Sequence, residues 1–420
     1  DYNNMKDITP RVGIAYDLAG DGKTALKAAW GKYMAAGDAD QGNPVTNLAT
    51  RSARSWTPSL PFGDPNYYIP QCNLFNQAAN GDCGPGNALF GQLVPAAAID
   101  PATHTGWGNR FWSQEFSVSV QREVLPRVSV DVGYFRRWYG NFQVVDNRAL
   151  AATDFREYSI TVPTDPRLAN SGQVLSGLYE VDPSKALLVN ADNYTTFSDN
   201  YGKQKEHWNG VDITVNARPR NGFAIQGGLS TGRRSSDLCD IMEKLPETQL
   251  VFGIFAIPRS YCHVDEAWQT QAKVLGTYLV PKIDVQFGVT FQSAPGPPLQ
   301  ANFFVVPAQA GLPSFSAAGV RLIDLIPIGQ PQPFSGVSTV PSTNISTEYV
   351  HRANQLDLRF SKIFRTGTGG RYRTSINFDL NNALNANYEL AVNNTYGPSW
   401  QNPLNIMDAR LFKISAQFDF

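Results

Sequence analysis

The feature that most constrains this chain is a repeated pattern of strands whose connections alternate strictly between short and long. Between residues 116 and 134, apolar residues take most of the even positions and polar or small residues take the odd ones, apart from the break at 125–127. A period of two residues predicts a β-strand with one apolar face. Eleven such segments run along the chain. Each is about as long as the ~9–11 residues with which a tilted strand crosses a bilayer.

The connections decide the fold class. Five of them are turns of at most six residues, and the other five are long, covering 35–108, 141–203, 234–266, 293–349 and 382–408. Strict alternation places every turn at one rim of the sheet and every long loop at the other. Outer-membrane barrels have short periplasmic turns and longer extracellular loops, whereas compact soluble domains seldom contain connections this long. The pattern predicts an all-β fold, a portion of an antiparallel transmembrane β-barrel with long extracellular loops.

Composition excludes several other classes of protein. Charged residues make up only 17% of the chain and hydrophobic residues 42%. No run of about 18 apolar residues is present, so membrane-spanning helices are not expected, while spanning strands need only alternate apolar positions. The chain has 35 basic and 36 acidic residues, a net charge of −1. This balance gives no electrostatic basis for binding nucleic acid.

The two faces of the strands differ in the same way along most of the chain. One face is apolar, and the other is rich in Gly, Ser, Gln, Asn and Asp. A lipid-facing exterior and a wet lumen would produce this difference. Large aromatic residues near the strand ends are typical of the girdles at a membrane interface, although a soluble core would also use them. They are Trp30, Trp112, Trp138, Trp208, Trp268, Tyr278, Phe291, Phe364 and Tyr372.

The four cysteines form two pairs that are close in sequence, Cys72 with Cys83 and Cys239 with Cys262. Neither pair has the spacing of a zinc site, and no histidine cluster accompanies them. The pairs therefore indicate two disulfides within long loops that face an oxidising compartment. The alternative is four free thiols.

Motifs that suggest catalysis lack the surroundings that catalysis needs. Residues 228–232 (Gly-Leu-Ser-Thr-Gly) match the nucleophile elbow of hydrolases, but Ser230 lies at a strand end with no helix to follow. Residues 22–24 (Gly-Lys-Thr) resemble the tail of a phosphate-binding loop, yet they join two strands. The scattered histidines are His104, His207, His263 and His351. We therefore expect no enzyme, no cofactor and no metal site.

Acidic residues are concentrated in the connection 234–266. They are Asp237, Asp240, Glu243, Glu247, Asp265 and Glu266. Carboxylate oxygens of this kind bind calcium. The alternative, a solvated acidic loop, is the interpretation that the sequence favours.

The long loops are where we expect a ligand to bind. They carry many aromatic residues among Pro, Asn and Gly, a composition that suits sugar rings, peptides and hydrophobic chelates alike. Packing of one loop against another would use the same residues. The candidates for substrate contact are Trp56, Trp107, Tyr201, Tyr261 and Trp400.

Residues 8–24, Ile-Thr-Pro-Arg-Val-Gly-Ile-Ala-Tyr-Asp-Leu-Ala-Gly-Asp-Gly-Lys-Thr, resemble a hairpin of TonB-dependent outer-membrane receptors. Within that family they are most similar to the Oar-like group, which carries a carboxypeptidase-regulatory-like domain. Further matches are Asp165-Pro-Arg, Ser176-Gly-Leu-Tyr, Asn200-Tyr-Gly-Lys-Gln, His207-Trp-Asn-Gly-Val-Asp, Gln226-Gly-Gly-Leu-Ser-Thr-Gly-Arg and Asp379-Leu-Asn-Asn-Ala-Leu-Asn. The closing Phe418-Asp-Phe420 is similar to the terminal signal for barrel assembly, and the resemblance assigns that role to Phe420.

The resemblance implies a receptor with a barrel of about 22 strands, an amino-terminal plug and a short TonB-contacting box. The whole chain, 1–420, is then expected to be the carboxyl-terminal part of one barrel domain, with the plug and the amino-terminal domains absent from it. Expected partners are the outer-membrane lipid of a Gram-negative bacterium, the TonB energy-coupling complex through the missing part, the barrel-assembly machinery and an unidentified substrate.

The predicted function is energy-coupled movement of a large substrate across the outer membrane. The alternatives are a passive pore or surface-adhesion barrel without TonB coupling, and a secreted soluble β-rich binding protein. With eleven strands the first and last run in the same direction, whereas bacterial barrels close through antiparallel pairs. We therefore expect two open sheet edges, near residues 10–18 and 410–420.

Overall fold

The computed structural model describes residues 4–35, 52, 54–87, 90–92, 98–189, 191–251, 254–315, 319–327, 346–366 and 372–419. Within these residues, eleven long strands form one sheet in which the strand order follows the chain and neighbouring strands are antiparallel. They are β1 (Arg11–Asp17), β2 (Thr24–Met34), β3 (Trp112–Leu125), β4 (Val128–Gly140), β5 (Lys205–Ala217), β6 (Phe223–Asp237), β7 (Gln269–Val280), β8 (Val285–Ala294), β9 (Ala353–Thr366), β10 (Tyr372–Asn381) and β11 (Leu411–Asp419). The predicted fold class is confirmed.

Short and long connections alternate along the sheet as predicted. The β1–β2 turn shows how a short connection is closed. Gly20 and Gly22 have φ angles of 70° and 71°, in the left-handed region that glycine enters without steric cost. The backbone N–H of Gly22 donates a hydrogen bond to Asp17 Oδ2 at 2.7 Å. The turn chemistry is therefore local, which is why the sequence predicts it.

One face of the sheet is apolar across its full width. The register aligns Ile14, Ala28, Val118, Tyr134 and Val211 in one row that crosses the first five strands. Nothing covers this face in the described part of the chain, and Ile14 remains 65% exposed. An exposed apolar surface of this extent fits lipid as its surroundings.

The buried hydrophobic core lies outside the sheet. All members of its main cluster belong to four of the long connections, 141–203, 234–266, 293–349 and 382–408. We call the described residues of these four connections the loop cap. A soluble-type core thus forms at one rim of the sheet, while the sheet keeps its apolar side chains on the outside.

The loop cap contains many short elements. Its strands are Gln143–Asn147, Phe155–Thr161, Val174–Val181, Asn193–Phe197, Leu250–Val251, Phe255–Ala256, His263–Asp265, Asn302–Val305, Arg321–Asp324, Glu389–Val392 and Pro403–Ile406. Its helices are the α-helix Cys239–Lys244 and the 3-10 helices Ala152–Asp154, Pro183–Leu188, Ser198–Asn200, Pro246–Gln249, Arg259–Tyr261 and Pro307–Ala310. Outside the cap lie the strands Asn4–Lys6, Ala98–Ile99 and Thr105–Trp107 and the 3-10 helix Pro101–Thr103.

Contacts between separate connections hold the cap together. The strand Arg321–Asp324 pairs with Asn302–Val305 of its own connection and with Phe255 of the preceding one. Asn170 Nδ2 donates a hydrogen bond to the backbone oxygen of Leu325 at 2.8 Å. These contacts join segments that are far apart in sequence, so the packing of the cap depends on long-range contacts.

The sheet has two open edges within the described residues. β1 pairs only with β2, and β11 pairs only with β10. The edges lie where the sequence predicts them, near 10–18 and 410–420. The predicted assembly signal, Phe420, lies outside the described residues. No helix among the described residues is long and apolar enough to cross a membrane.

Candidate functional site

A cleft of about 1070 Å³ opens on the polar face of the sheet, toward the rim that carries the long loops. The register places Arg11, Glu115, Arg137, Trp208 and Arg234 on one row across β1 to β6. Because these residues lie on the same face and at the same height in the sheet, they line one side of the cleft with charged and aromatic groups. We call this cleft the upper cleft.

Opposite charges are paired within the upper cleft. Arg137 Nε lies 3.2 Å from Glu115 Oε1, and the Arg137 guanidinium stands 5.3 Å from the ring centre of Tyr139. The guanidinium of Arg234 pairs with the carboxylate of Glu206, which is almost fully buried. Groups of both signs beside aromatic rings suit a polar ligand that hydrogen-bonds and stacks at once.

Trp208 occupies the polar face because two glycines make room for it. A Cβ atom added at Gly210 would lie 2.1 Å from the Trp208 ring, and one added at Gly232 would lie 2.3 Å from it. The indole therefore lies flat against β5 and β6. The prediction that Trp208 belongs to the girdle of interfacial aromatics is wrong, since the register aligns it with Arg137 and Arg234 on the polar face.

Further down the polar face, charged and hydroxyl groups also pair across strands. Arg359 Nη2 donates to Asp379 Oδ2 at 3.0 Å. Ser230 donates its hydroxyl to Asp212 Oδ1 at 2.6 Å. Ser230 is thus a hydrogen-bonding residue of the wall, in the middle of a strand pair rather than at a turn into a helix.

Two of the five candidate substrate-binding aromatics are buried in the loop cap. Trp400 is 1% exposed, and its indole nitrogen donates to the backbone oxygen of Gln300 at 2.7 Å. Tyr261 is 5% exposed, and its hydroxyl donates to the backbone oxygen of Leu325 at 3.1 Å. Both belong to the hydrophobic core, so neither offers a surface to a substrate in this conformation.

The other three candidates lie apart from one another. Trp107 is 66% exposed, on a short strand that pairs with Asn4–Lys6. Tyr201 is half-buried, and its hydroxyl donates to Asp146 Oδ2 at 2.5 Å. Trp56 is half-buried in the first long connection. The structure therefore does not gather the five aromatics into one site.

A buried ion pair lies at the centre of the loop cap. Arg321 and Glu180 are 0% and 2% exposed, and Arg321 donates through Nε and Nη2 to the two carboxylate oxygens at 2.7 and 2.8 Å. The ring of Phe315 lies 4.7 Å from the guanidinium carbon. Arg321 and Glu180 are 141 residues apart in sequence, so the pair joins two different connections of the cap. No spacing in the sequence signals it.

The Asp165-Pro-Arg match has a structural role in the cap. Arg167 donates to the carboxylate of Asp165 and, through Nη1, to the backbone oxygen of Trp400 at 3.0 Å. The Tyr396 hydroxyl also donates to Asp165, at 3.2 Å. These hydrogen bonds hold the pKa of Asp165 at about 2, with the largest contribution from the Arg167 side chain. The motif therefore joins the first connection of the cap to the last.

Two carboxyl groups of the cap have pKa values that are raised to about 7. Burial raises the pKa of Asp324 to about 7, although its Oδ1 accepts hydrogen bonds from the N–H groups of Ala301 and Ile326 at 2.8 and 3.0 Å. Burial likewise raises the pKa of Glu247 to about 7, with a smaller contribution from Asp146. Both carboxyl groups therefore titrate near neutral pH rather than near pH 4.

Both predicted disulfides are present, Cys72–Cys83 and Cys239–Cys262, and the described residues contain no free cysteine. The first closes a hairpin in the connection 35–108, and the second closes a loop of the cap. The backbone N–H of Leu238 donates to the oxygen of Cys262 at 3.0 Å. The second disulfide therefore lies directly against the hydrophobic core.

Arg54 organises the hairpin that the first disulfide closes. Its guanidinium donates to the backbone oxygens of Gly84, Asn76 and Ala78 at 2.8, 2.9 and 2.8 Å. The Arg54 side chain thus donates hydrogen bonds to backbone carbonyl groups that lie outside regular secondary structure and would otherwise lack a partner. This hairpin has a second source of stability besides its disulfide.

The acidic connection 234–266 does not assemble a metal site. Across the described ranges, no group of three His, Cys, Asp or Glu side chains is arranged to hold a metal ion. Its carboxylates have other partners. Glu266 accepts from the backbone of Arg234 and from the Tyr349 hydroxyl, and Glu243 lies 2.9 Å from Arg259.

An antiparallel sheet with an exposed apolar face, a charged polar face, short turns at one rim and a folded cap at the other defines the wall of a membrane β-barrel. A family model described as an outer membrane beta barrel domain matches residues 2–229, and the chain belongs to that family. It is accordingly a protein of the outer membrane of Gram-negative bacteria, and it is not an enzyme. Membership of this family excludes the alternative of a secreted soluble β-rich binding protein.

Solved structures with a similar fold come from several Gram-negative bacteria. The outer membrane transporter YddB from Escherichia coli matches at 10% identity with a TM-score of 0.43, over 97% of this chain and 40% of that chain. The ferripyoverdine receptor of Pseudomonas aeruginosa matches at 11% identity with a TM-score of 0.40, over 97% and 32%. The siderophore receptor PirA from Acinetobacter baumannii matches at 10% with a TM-score of 0.40, over 97% and 40%.

The chain thus spans less than half the length of these solved structures. No curated protein matches it.

Proposed function

We propose that this chain is part of a TonB-dependent receptor of the Oar-like group, which moves a large substrate across the outer membrane by energy-coupled gating. The observation that carries the proposal is the polar face of the sheet. It carries ion pairs on β2 to β6 and on β9 and β10, and it lies below a folded cap at the loop rim. A wall of this kind suits a lumen through which a polar solute passes, with a cap that restricts entry.

The sequence resemblance supplies the finer part of the proposal. The hairpin at 8–24 and the matches that follow it resemble motifs of TonB-dependent receptors. In such a receptor a plug fills the lumen and a short box contacts TonB. We propose that this chain is the carboxyl-terminal half of a barrel of about 22 strands, joined to a plug and to amino-terminal domains. The barrel-assembly machinery would then recognise Phe420.

We propose that the upper cleft contacts the substrate inside the barrel and that Trp107 contacts it from outside. Trp208 offers a ring fixed by Gly210 and Gly232, and Arg137 and Glu115 offer hydrogen bonds beside it. Trp107 is the most exposed of the five candidate aromatics. Among the others, Trp400 and Tyr261 serve the packing of the cap.

Two measurements on the full-length gene product test the coupling. In a planar bilayer, a plugged receptor holds no steady conductance, whereas a passive pore conducts in proportion to voltage. Immobilised periplasmic domain of TonB should capture the detergent-solubilised receptor. Steady conductance together with failure of capture would reject the receptor and favour the passive pore.

A further inference from the structure

Arginine side chains are concentrated on the polar face at the other rim of the sheet, where the short turns lie. Arg127 lies in the β3–β4 turn, Arg218 directly follows β5, and Arg373 is the second residue of β10. All three line one cleft of about 600 Å³. Arg127 and Arg218 also line an adjoining cleft of about 720 Å³. We call these three side chains the basic rim.

The basic rim lacks partners of opposite charge. Among the described residues, no carboxylate lies within 4.0 Å of the charged groups of Arg127, Arg218 or Arg373. The arginines of the upper cleft differ, since Arg137 and Arg234 are each paired with a glutamate. Two of the three arginines of the upper cleft therefore have a carboxylate partner, whereas none of the three arginines of the basic rim has one among the described residues.

Carboxylates near the basic rim are already engaged elsewhere. Asp284 binds Arg365, at 2.9 Å. Glu123 accepts from the backbone N–H of Arg127 at 2.8 Å, rather than from its guanidinium. Asp419 lies opposite Arg373 in the register, and it accepts from Gln417 at 2.9 Å. None of these carboxylates forms a direct ion pair with a guanidinium group of the basic rim.

The register excludes lipid as the natural partner of this surface. Arg373 is adjacent to Thr374, which lies on the apolar face in the row of Phe364 and Phe418, so Arg373 points to the polar face. A lipid headgroup would approach from the opposite side. Residues of the cleft such as Thr277 also alternate with apolar-face residues. The partner must therefore approach from the polar face of the sheet.

We propose that the basic rim binds an acidic polypeptide segment lying inside the barrel at its turn rim. The three arginines come from three different hairpins. The hairpins of Arg127 and Arg218 are neighbours and lie about 10 Å apart, two strand spacings of ~4.8 Å, whereas the β7–β8 hairpin lies between those of Arg218 and Arg373. A single phosphate is too small to reach them all, whereas an extended peptide rises ~3.3 Å per residue and presents carboxylates at such intervals. Carboxylates pair with guanidinium groups through two parallel hydrogen bonds.

This proposal stands independently of TonB coupling, because a passive barrel would bind an acidic segment at the same surface. The test uses the full-length protein in detergent and a fluorescent oligo-glutamate peptide as the probe. The triple variant Arg127→Gln, Arg218→Gln, Arg373→Gln should lose about tenfold in affinity, as expected for three exposed charge pairs. Raising the salt concentration should weaken wild-type binding in the same way.

The matched control removes charge from the apolar face. Arg122 and Arg136 align with Val130 and Phe116, respectively, on that face. The double variant Arg122→Gln, Arg136→Gln should bind the peptide as the wild type does. Heat-modifiable migration on gels should show that both variants keep a folded barrel.

Equal binding by the wild type and the triple variant would overturn the proposal, as would the absence of binding to either. Phosphatidylglycerol vesicles and inorganic phosphate serve as the competing probes. If either of these binds to the basic rim while the peptide does not, the site takes a headgroup or a free anion, and the polypeptide proposal is rejected.

Discussion

The sheet and the loop cap are two regions of one chain that follow opposite rules of burial. In the sheet, apolar side chains such as Ile14 and Ile414 point outward and stay 65% and 76% exposed, while charged pairs lie on the other face. In the cap, apolar side chains such as Leu178 and Ile323 are 0% exposed. The difference shows that the surroundings decide where apolar side chains are placed. In the sheet they face lipid, and in the cap they are buried away from water.

The two regions also differ in how they treat charge. The cap holds a fully buried Arg321–Glu180 pair, and the sheet pairs its charges on the open polar face. The predictions below separate the two regions. Each perturbs one region and measures its stability, and the first also measures the other region.

The largest effect is expected from breaking the buried ion pair of the cap. The substitution Arg321→Ala leaves the Glu180 carboxylate buried without its partner, which costs about 3–5 kcal/mol. Hydrogen exchange should show the cap opening while β4 to β6 stay protected. The double substitution Arg321→Leu, Glu180→Leu removes both charges and should restore most of the protection. Equal loss of protection in the sheet would show that the two regions do not fold separately.

The second prediction concerns the disulfide of the cap. Replacing Cys239 and Cys262 with serine removes a bridge across 23 residues of sequence separation, which should cost the cap about 3 kcal/mol in the chain-entropy account. Protease sensitivity of the connection 234–266 is the measurement. The matched variant at Cys72 and Cys83 changes a hairpin outside the cap and should leave cap protection unchanged. Loss of cap protection in that control would show that the hairpin supports the cap.

The third prediction perturbs the sheet. Val289 is the fifth residue of β8 and aligns with Gly276 and Leu358 on the apolar face, near the middle of the strand. Val289→Arg should cost about 2–4 kcal/mol, as charged residues do at the lipid-facing midplane of a barrel. Thr290→Arg, one residue away on the polar face, is the control and should be mild. Folding in lipid vesicles under urea measures both, and equal costs would contradict the assigned faces.

The last prediction concerns the pH dependence of the cap. The pKa of Asp324 rises from 3.8 unfolded to about 7 in the cap, so the folded cap keeps a proton that the unfolded chain releases. The stability of the cap should therefore fall as pH rises from about 4 to about 7 and level off above it. Asp324→Asn stays neutral at every pH and should weaken this dependence, leaving the part that Glu247 contributes. Urea titrations of the cap at pH 5 and pH 8 compare the two proteins.

The features that the sequence by itself determined are local in origin. Alternation of apolar and polar residues specifies a strand and its faces, because successive side chains of a strand point to opposite sides. The turn at 18–23 depends on Gly20 and Gly22, and Cys239 lies near Cys262 in sequence. For this reason the eleven strands, the alternating connections, the open edges and both disulfides could be predicted.

The features that only the tertiary structure decided depend on contacts between distant segments. Arg321 and Glu180 are 141 residues apart, and no local pattern indicates that they meet. The aromatic ring of Trp400 is equally suited to a ligand or to a core, and only the packing of four connections buries it. Trp208 is an aromatic residue near a strand end, as a girdle residue would be, yet the register of β5 against its neighbours places it on the polar face. A shift of one residue would reverse that placement, because the two faces of a strand alternate with every residue.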